Sequence, residues 1–308
     1  MQTYETWQGL PPAARRASVA LGNFDGVHLG HQSVIALARR ADHPLGVVTF
    51  EPHPRQFFAP DAPPFRLMNA EARAHRMEKL GVQHLYALPF DARIASMSAE
   101  DFVAEVLLAG LGIAHVTVGA DFCFGKGRSG NAKTLRALGE QHGIGVTIAP
   151  LLAVDGTEVS STAIRQALSD GRTRDAQGML GHWHRIEGEV IHGEKRGRDL
   201  GYPTANMDID GLHLPRLGIY AVRADVLGGP QAGSYHGVAS LGVRPMFGEN
   251  RPNLETHIFD FTGDLYGHHL SVALVDFLRP ELKFDGLPAL IAQMDDDSTK
   301  ARAILSAL

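Results

Sequence analysis

Apolar positions along the chain follow two different patterns, which change over near residue 181. Before that point, short runs rich in β-branched residues recur at Ser18–Leu21, Gly46–Thr49, His84–Ala87, His115–Val118 and Val146–Ile148. Between them, Gln32–Arg40, Ala70–Leu80, Asp101–Leu108 and Ala132–Gln141 carry apolar residues at helical spacing. Ser98 followed by Asp101 predicts a variant of the capping box at the start of the third helix. Such alternation predicts a doubly wound parallel sheet, in which ligands sit beyond the carboxyl ends of the strands.

After Gly181 the strand-like runs follow one another with turns between them: Gly188–Ile191, Gly218–Asp225, Tyr235–Leu241, Thr256–Phe261 and Ser271–Leu278. Leu227-Gly-Gly-Pro230 and Phe261-Thr-Gly-Asp264 are turn signals. This texture predicts an antiparallel barrel or sandwich. A helical tail follows in two pieces, Leu287–Met294 and Thr299–Leu308, with Asp295-Asp-Asp297 read as a solvated junction between them. The expected domains are residues 1–182 and 183–308, and 308 residues suffice for two cores.

Composition narrows the setting. At 44% hydrophobic and 20% charged residues, the chain has the make-up of a soluble globular protein. The segment Met1–Ala17 lacks the apolar stretch of a secretory signal, and no apolar run approaches the roughly 20 residues of a membrane span. The single cysteine, Cys123, excludes an internal disulfide and a cysteine-based zinc site, which fits the cytoplasm. The net charge is -5 and no Lys/Arg stripe is present, so neither a nucleic acid nor a membrane is expected as partner; the oligomeric state is open. Phosphates would have to be met by helix N-termini and a few placed Arg and His. The pairs His182/His184 and His268/His269 lack a third ligand at a sensible spacing and read as structural.

Two constellations carry chemistry. Just after the first strand comes Leu21-Gly-Asn-Phe-Asp-Gly-Val-His-Leu-Gly-His31, with an H-x-G-H element at a strand-to-helix junction. Gly30 would let backbone approach a ligand, while His28 and His31 could donate hydrogen bonds to a phosphate as charge builds in a transition state. Val159-Ser-Ser-Thr-Ala-Ile-Arg165 opens another helix, predicted to run to about Ser169. Ser161 or Thr162 could cap it, and Arg165 could clamp the β- and γ-phosphates. The loop Gly119–Gly130 offers Phe122 or Phe124 for stacking on a flat ring, or is a flexible turn with two core aromatics.

The second half contains no Walker-type phosphate loop. It has Gly188-Glu-Val-Ile-His-Gly193 and then Arg196-Gly-Arg-Asp-Leu-Gly-Tyr-Pro-Thr-Ala-Asn206, where Gly193, Gly201 and the pair Arg196 and Arg198 could cradle phosphates. Thr204 and Asn206 are two apart, so in an extended segment they share a side, and their neutral oxygens suit Mg²⁺ bridging ATP phosphates. Glu255 begins an alternating strand, where a carboxylate could accept a hydroxyl proton, although any exposed strand glutamate would look the same.

The blocks Asn23–Gln32, Thr49-Phe-Glu-Pro-His-Pro54, Val118–Gly127 and Ser160–Arg165 resemble the signatures of the FMN adenylyltransferase module of prokaryotic bifunctional FAD synthetases. The G-x-x-R-G-R-x-L-G-Y-P-T-A-N block, Arg244-Pro245 and Leu254-Glu-Thr-His-Ile-Phe-Asp260 resemble the riboflavin kinase domain of the same family. The resemblance implies an N-terminal nucleotidyltransferase domain, a six-stranded antiparallel kinase barrel, and conversion of riboflavin through FMN to FAD with ATP and Mg²⁺. It implies that His28, His31, Ser161, Thr162 and Arg165 bind ATP phosphates, with Asn23, Asp25 and His53 close to the nucleotides. It implies that Thr204 and Asn206 take Mg-ATP and that Glu255 is the catalytic base. Asp121, Phe122, Phe124 and Arg244 are the expected flavin contacts.

The chain departs from the family pattern at Ser240 and Met246, which stand where an amide and a hydroxyl are usual. Competing readings are an enzyme with one site decayed, a flavin carrier without turnover, and a nucleotidyltransferase for another phosphate. Thr204, Asn206 and Glu255 disfavour the carrier, and the kinase-like half disfavours the last.

Overall fold

The computed structural model describes residues 1–154, 156–193, 201–246 and 249–308, with residues 244–246 and 249–250 described by their backbone alone. Two compact units emerge, one of residues 1–63 and 73–160, the other of residues 64–72 and 161–308.

The first unit is built on β1 (Gln2–Tyr4), β2 (Ser18–Leu21), β3 (Leu45–Glu51), β4 (His84–Pro89), β5 (His115–Gly119), a short hairpin of β6 (Cys123–Phe124) and β7 (Gly130–Asn131), and β8 (Gly145–Ala149). Its main sheet is parallel throughout, in the order β1-β4-β3-β2-β5-β8. Every residue of β2 is buried, as a central strand covered on both faces requires. The chain leaves β2 for β3 on one side and returns to β5 on the other, so a topological switch point lies at the carboxyl end of β2. Helices Leu29–Leu37 (α1) and Ala132–His142 and the turns of Phe102–Gly110 supply the covering layers. A second small hairpin, β9 (Ala153–Val154) and β10 (Thr157–Glu158), follows β8.

Five predicted strands match in place, while β1 is absent from the sequence-based expectation because three largely exposed residues carry no periodic signal. Ser98 accepts from the Asp101 amide at 3.0 Å and donates to the Asp101 carboxylate at 2.8 Å, so only one half of the capping box is conventional. Beyond Asp101 the helix is wider than an α-helix. The Leu111 amide reaches back five residues to Val106, and a Cβ at Gly110 would stand 2.7 Å from Trp7.

The second unit contains β11 (Arg185–Glu189), β12 (Ala205–Asp208), β13 (Gly218–Val226), β14 (Gly233–Met246), β15 (Glu249–Ile258) and β16 (His269–Arg279). They form an antiparallel sheet in the order β11-β16-β13-β14-β15-β12. A bridge between Ile191 and Asn206 brings the two edges together, so the sheet is a nearly closed barrel. Met207, Tyr220, Val222, Leu241, Leu254 and Leu274 fill its interior. The strand β12 is hidden in the sequence, since Pro203 and Asn206 mask its four-residue length.

The tail is one helix, Leu287–Ser306, and the expected break at Asp295–Asp297 does not occur. Each aspartate has a partner that offsets its poor helix propensity. Asp297, only 3% exposed, takes Arg279 in a two-pronged ion pair at 2.6 and 3.0 Å. Asp296 meets Lys300 one turn on at 2.6 Å, and Asp295 accepts the Tyr202 hydroxyl.

His184 is 3% exposed, and burial, followed by its neighbours His213 and His182, pushes its imidazole down from 6.5 to about 3. Between those values the unfolded chain holds a proton that the folded chain does not. Stability is therefore fully present above pH 6.5 and falls as pH drops, by about 1.4 kcal/mol per pH unit for such a group. Denaturant unfolding of the second unit between pH 7 and pH 5 is expected to show this loss, and His184→Gln to flatten it; equal slopes in both proteins would contradict the assignment.

Candidate functional site

The first site is the turn that joins β2 to α1. Its backbone is left-handed at Phe24 (φ 53), Gly26 (φ 88) and Val27 (φ 42). For Phe and for β-branched Val this costs on the order of 1–3 kcal/mol each, so the surroundings must impose it. They do so through carbonyls: Thr49 Oγ1 donates to Asn23 O at 3.2 Å, Arg73 Nη1 donates to the same oxygen at 3.4 Å, and Gln32 Nε2 donates to Val27 O at 2.9 Å. Arg73 is 1% exposed and ion-paired with Glu51 at the end of β3. Sequence reasoning misses it, because an arginine in a charged helix looks solvated.

His28 caps α1, its Nδ1 accepting from the His31 amide at 3.3 Å. An accepting Nδ1 leaves the proton of the neutral ring on Nε2. The His31 ring stacks on His28 with centroids 3.6 Å apart. Burial holds His31 well below its ordinary value, with a smaller contribution from His28, so the ring is neutral at physiological pH. Its Nδ1 is buried with no hydrogen-bond partner, a polar atom suited to a ligand. The absent Cβ of Gly30 leaves room for His28 itself, whose ring would lie 3.2 Å from it. Asp25 is buried in the same turn and Asn23 is exposed. His53 caps the short helix Pro54–Phe58, accepting from the Arg55 amide at 3.1 Å.

In the loop after β5, Phe124 is 8% exposed and belongs to the core, packed against Phe102. Phe122 stacks on it at 5.6 Å and remains partly exposed, so of the two expected stacking rings Phe122 alone offers a free face. Asp121 is exposed.

Helix Ser161–Ser169 belongs to the second unit. Ser161 and Thr162 lie inside its first turn, which corrects the expectation that one of them is the capping residue before it. Arg165 lies one turn in, its Nε donating to Phe65 O at 2.6 Å.

The second site lies on β12 and β15 of the barrel. Asn206 and Glu255 are register partners, and Glu255 also pairs with Ser240 on β14. Asn253 is two residues before Glu255, hence on the same strand face. Its Nδ2 lies 3.3 Å from Glu255 Oε1 and 3.4 Å from Asn206 Oδ1, so one amide joins the two predicted groups. Period-two spacing from Glu255 is the signal that could have found it. Asn253 Oδ1 is buried without a hydrogen-bond partner. Asn206 Nδ2 donates to Thr204 O at 3.3 Å. A Cβ on Gly193 would come within 2.6 Å of the Asn206 carboxamide, so only glycine fits beside it. The turn leading to Thr204 is held at Tyr202 by Asp295 and at Pro203 O by His257 Nδ1, 2.9 Å away. Gly201 is exposed with φ 82. Arg196 and Arg198 lie outside the described residues, as does the side chain of Arg244. Among the described residues no group of three His, Cys, Asp or Glu could hold a metal ion.

Comparison with known proteins bears on both halves. A family model for FAD synthetase matches residues 10–163, and one for riboflavin kinase matches residues 180–305. The bifunctional riboflavin kinase/FMN adenylyltransferase of Pseudomonas fluorescens is 40% identical over 99% of this chain and 98% of its own. The Bacillus subtilis protein of the same name is 36% identical over 93% of this chain and 92% of its own. A crystal structure described as a macrolide-efflux protein from Streptococcus pneumoniae matches with a TM-score of 0.83 at 31% identity, covering 98% of both chains. Among the described residues of this chain, no helix is long and apolar enough to cross a membrane.

Arg73→Leu removes one of the donors on Asn23 O and the guanidinium beside Glu51. It is expected to destabilise the first unit by about 2–4 kcal/mol, less than a fully buried pair because Glu51 is partly exposed. Equilibrium unfolding measures this, and a loss below about 1 kcal/mol would contradict the clamp.

Proposed function

The chain belongs to the bifunctional riboflavin kinase/FMN adenylyltransferase family, which makes FMN from riboflavin and FAD from FMN, and on that premise we propose which residues carry each step. The observation that carries the proposal is the cross-strand pairing of Asn206 with Glu255, with Asn253 between them.

In the kinase step the terminal ribityl hydroxyl attacks the γ-phosphorus of ATP, its proton passes to Glu255, and ADP leaves. Asn253 donates to Glu255 Oε1 and so orients the carboxylate. Ser240, opposite Glu255, brings a hydroxyl to the same stretch of sheet. Thr204 and Asn206 fit Mg²⁺ with ATP, since both supply neutral oxygens, Gly193 leaves space beside Asn206, and Asn253 Oδ1 is an unsatisfied buried acceptor. Bound there, Mg²⁺ would offset the negative charge of the ATP phosphates. Gly193 and Gly201, with Arg196 and Arg198, complete the phosphate cradle on the strength of the resemblance, and Arg244 stands as a flavin contact on the same ground.

In the transferase step an FMN phosphate oxygen attacks the α-phosphorus of ATP and pyrophosphate leaves. The Nε2–H of His28 and a ring N–H of His31 donate to phosphate oxygens as charge builds. Neutral rings serve here as hydrogen-bond donors, with no proton transferred. Asn23, Asp25 and His53 flank the nucleotides, and Gly30 admits His28 to its capping position. Ser161, Thr162 and Arg165 take the β- and γ-phosphates. Phe122 is the ring available to the isoalloxazine, with Asp121 nearby in sequence.

The functional division falls at residues 1–182 and 183–308, supported by the family models, which end at 163 and resume at 180. The cytoplasm, without a nucleic-acid partner, is the setting inferred from one cysteine and a net charge of -5.

Two variants of the full chain test the assignment. Glu255→Gln is expected to lower riboflavin phosphorylation by about 10²–10⁴-fold while FMN adenylylation stays within about twofold. His28→Ala is expected to lower adenylylation by about 10²–10³-fold and to leave phosphorylation unchanged. Chromatographic separation of flavins reads both. Loss of both activities in either variant, or a fully active Glu255→Gln kinase, would contradict the proposal.

A further inference from the structure

The helix Ser161–Ser169 carries Arg165, and the role inferred for its neighbour His213 rests on Arg165 being a transferase residue. The Arg165 guanidinium is oriented within the second unit by Phe65, whose carbonyl accepts from Nε at 2.6 Å and whose ring lies under Cζ at 5.3 Å. A second residue bonds to the backbone on either side of this contact, at Arg165 and at Arg66 next to Phe65. The ring Nε2 of His213 lies 3.0 Å from the carbonyl oxygen of Arg165. A carbonyl only accepts, so Nε2 carries the proton there. The same atom lies 3.2 Å from the Ser169 hydroxyl, one turn further along the helix. The backbone N–H of His213 meanwhile donates to Arg66 O at 2.8 Å, next to Phe65, and Leu212 forms an isolated parallel bridge with Arg66. Three residues on, the Arg216 amide donates to Leu168 O at 2.9 Å and holds the end of the helix.

His213 thus ties the helix that bears Arg165 to the segment whose carbonyl aims its side chain. It sits between β12 and β13, inside the stretch matched by the riboflavin kinase model, residues 180–305. We propose that His213 is a positioning residue for adenylyl transfer, supplied to that reaction by the kinase half of the sequence. It touches neither substrate in this scheme and acts only through Arg165. The alternative is a packing histidine that steadies the helix, with no effect specific to Arg165.

The test uses the full chain as His213→Ala, His213→Gln, Arg165→Ala and the double variant His213→Ala/Arg165→Ala. Steady-state adenylylation of FMN, phosphorylation of riboflavin and the melting temperature are measured for each. His213→Ala is expected to lower kcat/KM for adenylylation about tenfold, with phosphorylation within about twofold of wild type. His213→Gln keeps an N–H at the end of the side chain and is expected to recover most of the loss. In the Arg165→Ala background, removing His213 is expected to change adenylylation no further. Unchanged adenylylation in His213→Ala, with Arg165→Ala strongly impaired, would overturn the proposal and leave the reading of Arg165 standing. Full adenylylation in Arg165→Ala would overturn that reading instead. Parallel loss of both activities in His213→Ala, or an equal loss with and without Arg165, would assign His213 to packing alone and overturn the proposal.

Discussion

The proposed transferase site of the first unit depends on one stretch of backbone, the turn from β2 into α1, held left-handed at Phe24 and Val27. Neither residue favours that conformation, and neither would adopt it without the hydrogen bonds that Thr49, Arg73 and Gln32 make to its carbonyls. The result is a cap in which His28 turns back onto α1 and its ring stacks on His31. Two neutral imidazoles are thereby fixed at a helix N-terminus, beside the topological switch point of a parallel sheet. In the proposed reaction, this strain would be matched by a pre-organised pair of donors that needs little rearrangement.

The second unit reaches a comparable end by register. Strand pairing alone sets Asn206 opposite Glu255, and a slip of one residue would turn both to the wrong face. The bridge from Ile191 to Asn206 keeps the edge of the barrel from drifting, and the missing side chain of Gly193 leaves room for the asparagine. Asn253 then joins the amide to the carboxylate. The C-terminal helix contributes too, since Asp295 holds Tyr202 at the head of the same turn and Asp297 anchors the helix on Arg279.

Much of this is legible in the sequence, for physical reasons that differ by residue. The central strands announce themselves because a strand buried on both faces must be continuously apolar. His28 and His31 stand in a glycine-containing turn at a strand-to-helix junction, a recognisable pattern, whereas Glu255 looks like any strand glutamate and is singled out, with Thr204 and Asn206, by the family resemblance. Arg73 is not legible, since only its burial, at 1% exposure, distinguishes it from a solvated helix charge. Asp297 fails for the same reason, and the expected break in the tail there is wrong. Phe124 looks like a stacking ring but lies in the core. His213 carries no local signal, because the hydrogen bonds that place it, to Arg66, Arg165 and Ser169, each span more than 40 positions of the chain.

On the proposed assignment, two separable sites, one centred on His28 and His31 and the other on Glu255, share a single chain. Mixing the Glu255→Gln and His28→Ala proteins with riboflavin, ATP and Mg²⁺ tests this most directly, because each variant lacks one step and retains the other. Neither alone is expected to make FAD from riboflavin, whereas the mixture is, with FMN released by one chain consumed by the other. A mixture that makes no FAD, although each protein keeps its single activity, would contradict the separability of the two sites.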